Sequence, residues 1–181
     1  KQHQIEVKGH AILFQNSIAA AMPKDLPESV ALAAYDVAAA PAWAFHLAKP
    51  GATIVVMGGG GKSGLLSCAA ARQRMGKAGK IIAVEPHPKA CEDLERLGAC
   101  NHILSIDATN PVTVMEAVSK VTKGKMADVI MALTSVPNTE NSALLCAKPK
   151  GKVVFFSMAT SFSKVTLGAE GIATTAQLIF G

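Results

Sequence analysis

The 181-residue chain is 50% hydrophobic, 17% charged and 4% aromatic, with a formal net charge of +5. So much apolar material excludes a disordered chain, and the length allows one domain or one domain with a piece of another. The cations are scattered and not interleaved with aromatics, so no nucleic-acid partner is expected.

The chain begins at Lys1 rather than Met, which reads as a processed chain or a piece of a longer one. Ile5 to Met22 is ambiguous and has room for two short strands. Pro27 or Ser29 opens a helix that runs to about Ala34. A second helix follows Pro41, through Trp43, Phe45 and Leu47, and stops at the breaker Lys49-Pro50-Gly51. From there the pattern is regular. Strands are predicted at Thr53–Met57, Lys80–Val84, His102–Ile106, Ala127–Leu133 and Lys152–Ser157. Helices are predicted between them at Lys62–Met75, Pro88–Leu97, Pro111–Val121 and Asn138–Ala147. Strands alternating with helices of this length mean βαβ units, and continuous apolar runs suit strands covered on both faces. The expected fold is α/β, a Rossmann-type doubly wound parallel sheet over residues 26–181 with its leading connecting helices.

No membrane partner is expected. Val30–Ala48 is interrupted by Asp36, Pro41 and His46, and Ala11–Phe14 is too short for a signal-peptide core. Cysteines at 68, 91, 100 and 146 form no Cys-x-x-Cys pair, and the histidines are dispersed. This reads as reduced thiols of a cytoplasmic protein, with no metal site.

The most informative segment is Gly58-Gly59-Gly60-Gly61-Lys62-Ser63-Gly64, set between a strand and a helix. Gly59, Gly61 and Gly64 satisfy G-x-G-x-x-G: a tight turn, a close approach of backbone to pyrophosphate, and close helix–strand packing. The amides of Lys62, Ser63 and Gly64 open a helix whose dipole favours an anion. Glu85 ends the next strand, where its carboxylate can accept from the adenosine ribose and repel the 2′-phosphate of NADP; the expected cofactor is therefore NAD. Lys62 reads as a charge-neutralising or exposed lysine rather than a catalytic one. A nucleoside-triphosphate P-loop would need glycine where Val56 stands, inside the strand. Cys68 reads as core packing, Cys100 with His102 lacks an orienting third group, and Asn110-Pro111 reads as a helix start.

Lys49-Pro50-Gly51-Ala52-Thr53-Ile54-Val55-Val56 with the glycine loop, then Leu97-Gly98-Ala99, Ala127-Asp128-Val129-Ile130 and Lys150-Gly151-Lys152-Val153-Val154, resembles the cofactor domain of medium-chain dehydrogenases. A narrower resemblance rests on Gly60–Gly64, Val136-Pro137-Asn138-Thr139-Glu140, Phe156–Phe162 and Leu167–Gly171. It is to the L-erythro-3,5-diaminohexanoate dehydrogenases of lysine fermentation, which oxidatively deaminate a diamino acid with NAD to 5-amino-3-oxohexanoate and ammonia. The resemblance implies that the backbone of Phe156, Ser157 and Met158 faces the nicotinamide carboxamide and that Thr134 and Ser135 lie near the adenosine ribose. It implies residues 1–25 as a short N-terminal remnant of a substrate domain, an amino acid as the small-molecule substrate, catalytic residues mostly outside this stretch, and a homodimer formed through Val165–Phe180. An apolar patch is expected where a further domain packs. Another medium-chain reductase, such as a quinone reductase, and a non-catalytic nucleotide-binding module are the alternatives.

Overall fold

The computed structural model describes residues 6–181. Two helices lead in, α1 (Glu28–Tyr35) and α2 (Ala39–Leu47). The alternating body follows: β1 (Thr53–Met57), α3 (Lys62–Met75), β2 (Lys80–Val84), α4 (Pro88–Leu97), β3 (His102–Leu104), α5 (Pro111–Thr122), β4 (Ala127–Ala132), α6 (Glu140–Cys146) and β5 (Ala147–Phe155). It closes with α7 (Phe162–Gly171) and β6 (Gln177–Phe180), two elements beyond those predicted. The β3-β2-β1-β4-β5-β6 order, every pair parallel, is that of a Rossmann-type doubly wound sheet.

The strands are continuous apolar runs because both faces are covered, and their two-residue period sorts side chains between two cores. Ile54, Val56, Ile81, Ala83, Val129 and Met131 point to one side and pack under α2, α3 and α4 through Ala40, Ala44, Cys68, Ala71 and Leu94. Val55, Met57, Ile82, Val84, Ile130 and Val153 point to the other, under α5, α6 and α7 through Val114, Val118, Leu144 and Val165. The small residues of α2 and α3 let these helices sit close to each other and to the sheet. Asn110 caps α5, its Oδ1 accepting from the Thr113 amide at 3.2 Å, as a helix start at Asn110-Pro111 requires.

Residues 6–22, ambiguous in sequence with room for two short strands, form none; Ile5 lies outside the described residues. The reason is the absence of a neighbour. Val7, Ile12, Leu13, Phe14 and Ile18 are exposed, and a strand without a paired edge leaves its backbone groups unsatisfied by protein. No single helix among the described residues is long and apolar enough to cross a membrane.

Candidate dinucleotide-binding site

The sheet order reverses between β1 and β4, where the crossovers leave in opposite directions and a crevice opens at the carboxyl ends of the strands. The glycine loop lies across that crevice. On one side a pocket of about 180 Å³ is lined by Gly58, Glu85, His87, Asp107, Thr134 and Ser135. On the other a cleft of about 420 Å³ is lined by Gly61, Lys62, Ser63, Ser135, Phe156 and Met158. Gly58, Gly61, Leu133 and Ser135 belong to both, so the two hollows form one groove over the loop.

The glycines of this loop answer to different demands. Gly58, not Gly59, takes the left-handed turn, at φ 74°, and a Cβ there would stand 2.9 Å from the Thr134 Cα. Gly59 is needed for packing, since its Cβ would meet the Ala83 Cβ at 2.8 Å. Gly60 lies against Ala90 of α4 and Glu85, and a Cβ on Gly64 would drive into the Gly58 carbonyl oxygen. Gly61 alone has room. Its φ is −75°, and a Cβ would meet only the Gly58 oxygen at an ordinary 3.5 Å. Four of the five glycines are therefore required by the protein's own atoms; the fifth faces the groove.

The loop is held from below. The Gly58 and Gly59 amides donate to the Val84 carbonyl at 3.0 and 3.2 Å, and the Gly61 amide to the Gly58 carbonyl at 3.2 Å. Glu85, 5% exposed, accepts from the Gly60 amide through Oε2 and from the His87 amide through Oε1, both at 3.1 Å. The Cys91 thiol donates to the Glu85 carbonyl at 3.2 Å, tying the first turn of α4 to the same residue. Glu85 thus stands at the mouth of the turn, as expected, and also braces the loop, which its sequence position did not reveal. The first intrahelical amide of α3 is that of Leu65, bonded to Gly61. The Lys62, Ser63 and Gly64 amides precede it, no side chain caps them, and all three residues line the groove, as the first turn of an anion-binding helix requires.

Thr134 and Ser135 follow β4 on the Glu85 side, while Phe156 and Met158 follow β5 on the other. Ser157 stands between them, its Oγ accepting from the Ala159 amide at 3.1 Å. Met158 is fully exposed and Phe156 half-buried, so neither side chain is plain core. Lys62 pairs with Asp36 at 2.6 Å, so the charge at the loop comes with a counter-ion from the end of α1. That partner carries no local sequence signal. Asp107 was missed too, although the loop after β3 belongs to the same carboxyl edge, which is the signal that finds it. The Thr109 backbone amide, donating to Asp107 Oδ1 at 2.8 Å, with the Thr109 side chain beside it, holds the Asp107 carboxyl below the usual carboxylate range.

Comparison with known proteins decides the lineage. A family model described as zinc-binding dehydrogenase matches residues 63–179. The chain belongs to the zinc-binding dehydrogenase family. It is similar to L-erythro-3,5-diaminohexanoate dehydrogenases of Fusobacterium nucleatum (44% identical) and Acetoanaerobium sticklandii (39% identical), in each case over 98% of this chain and 52% of the relative. The chain therefore spans about half the length of the curated relatives it matches. In fold it is similar to a mycobacterial protein solved in complex with NADPH, at TM-score 0.71 and 17% identity over 88% of this chain and 48% of that one. Among the described residues no three His, Cys, Asp or Glu side chains gather to hold a metal ion. The donor set of the described residues does not fit zinc. What family and fold support in common is the nucleotide-binding domain of an oxidoreductase.

Proposed function

We propose that this chain binds NAD for an oxidoreductase that deaminates L-erythro-3,5-diaminohexanoate to 5-amino-3-oxohexanoate and ammonia. The observation that carries the cofactor half is Gly61, a glycine that no protein atom requires, at the middle of a groove floored by free helix amides. NAD supplies the hydride acceptor when bound. The chain's own residues do the holding. The Lys62, Ser63 and Gly64 amides take the pyrophosphate, with Lys62 beside them. Glu85 and Thr134 stand by the adenosine ribose, and the backbone of Phe156, Ser157 and Met158 carries the nicotinamide carboxamide.

NAD rather than NADP is favoured by the charge of the ribose pocket. Its lining includes Glu85 and Asp107 and no lysine or arginine, so a 2′-phosphate would meet carboxylates where it needs a cation. The substrate half rests on the names of the two relatives and the motifs shared with their family. We further propose that residues 1–25 close a substrate domain, that the protein is cytoplasmic, and that two copies pair along β6.

A fluorescence titration with NADH and NADPH tests the cofactor reading. NADH should bind at least about tenfold more tightly, the weight of one mispaired charge. Gly61→Ala should fold normally yet lose about tenfold or more in NADH affinity, because its methyl group occupies the pyrophosphate's approach. No NADH binding at millimolar concentration, or an unaffected Gly61→Ala variant, refutes the site. NADH formation from the diamino acid by the complete reading frame tests the substrate.

A further inference from the structure

At the opposite end of the sheet, about 17 Å away along five residues of strand, the amino ends of β1, β4 and β5 meet α2 around a second hollow. This cleft, of about 450 Å³, is lined by His46, Lys49, Asp128, Lys148, Lys150 and Lys152 among others. Its single carboxylate is fully engaged. Asp128 Oδ2 accepts from the Thr53 amide at 2.8 Å, and Oδ1 pairs with Lys148. Among the described residues, Lys49, Lys150 and Lys152 have no carboxylate within 4.0 Å. Three lysines without a carboxylate partner thus line one concavity.

The second observation is conformational. Lys150 sits at φ 60°, in the left-handed region that favours glycine, and its turn is pinned by its own amide donating to Thr175 Oγ1 at 3.0 Å. The next residue, Gly151, is glycine for a steric reason, since a Cβ there would stand 2.9 Å from the Lys148 carbonyl oxygen. Glycine at 150 would relieve strain as well, yet a lysine stands there, with its side chain on the cleft. Lys123, Met126, Asn138 and Ala173 share this conformation; Lys150 is the one of the five that lines the cleft.

We propose that this lysine cleft is a second ligand site, taking a soluble oligophosphate chain. The closely spaced charges of an oligophosphate suit ammonium groups, which bind phosphate as point charges without the fixed fork of arginine. The cavity is in the size range of small-molecule sites. The position, across the sheet from the glycine loop, keeps it independent of the cofactor groove.

The test is calorimetric titration of the full chain with inorganic tripolyphosphate at low and moderate salt, with and without saturating NADH. Binding should weaken steeply with salt and be unchanged by NADH. Lys150→Gly should melt at the same temperature as the parent or higher, while tripolyphosphate affinity falls about tenfold. Asp128→Asn removes the one negative charge of the cleft and should tighten binding. Absence of binding at millimolar concentration, displacement by NADH, or equal affinity in Lys150→Gly overturns the proposal.

Discussion

Asp128 shows how much one side chain can organise. It joins the first residue of β1 to the start of β5, through the Thr53 amide and Lys148. Burial works against its ionised form, but the Lys148 ammonium and the Thr53 amide outweigh that and hold its carboxyl below the usual range. A carboxylate with a depressed folded-state pKa adds stability above its unfolded pKa, and that contribution disappears as pH falls through the folded value. Asp128→Asn should therefore cost up to about 1 kcal/mol at neutral pH, the range for a partly exposed pair. The gap from the parent should close below about pH 3–4, the ordinary carboxylate range, in urea melts taken across pH. A gap that persists at low pH would mean that the asparagine fails in shape rather than in charge.

At the scale of elements, the coupling of α6 to α7 is a buried-carboxylate device. Glu140, 4% exposed in the first turn of α6, accepts through Oε1 from the Ser161 amide at 2.8 Å. Ser161 is itself the N-cap of α7, its Oγ taking the Lys164 amide. On the other side of α6, the buried Ser142 hydroxyl donates to the Ala108 carbonyl at 2.6 Å, fixing the loop that carries Asp107. One short helix thus positions loops on both sides of the groove. Glu140→Ala leaves a shielded amide without its acceptor and should destabilise by about 1–3 kcal/mol. Glu140→Gln keeps an acceptor and should lose less. Amide exchange at Ser161 should quicken in the alanine variant; unchanged exchange there would show that Glu140 does not hold α7.

The whole molecule ends its sheet on an unpaired strand. β6 pairs with β5 on one side only, and Phe162, Leu167 and Phe180 are exposed around it. An open edge with apolar neighbours invites a second copy. Leu167→Asp should convert the proposed homodimer to a monomer in light scattering at micromolar concentration; a parent chain that is already monomeric there removes the proposal. Ile12, Leu13, Phe14 and Ile18 are exposed along an extended segment, not gathered into the compact apolar patch expected for a further domain.

Local chemistry was enough for the alternating elements and for the loop. The ends of α3 and α4 were read to the residue, because Gly61, Pro88 and Gly98 punctuate them and apolar runs of five can only be buried strands. Glu85 was legible as the acid that closes the second strand. Non-local facts were not legible. α7 has weak periodicity and β6 is too short to declare itself; each exists because β5 and α6 offer a surface. Most of the division of labour among the glycines, the Lys62–Asp36 pair and the lysine cleft depend on residues far apart in the chain, 25 positions for Gly60 with Glu85 and 26 for Lys62 with Asp36. A sequence states what each segment prefers, whereas the demand placed on a single Cβ or ammonium group is set by whatever the finished sheet puts opposite it.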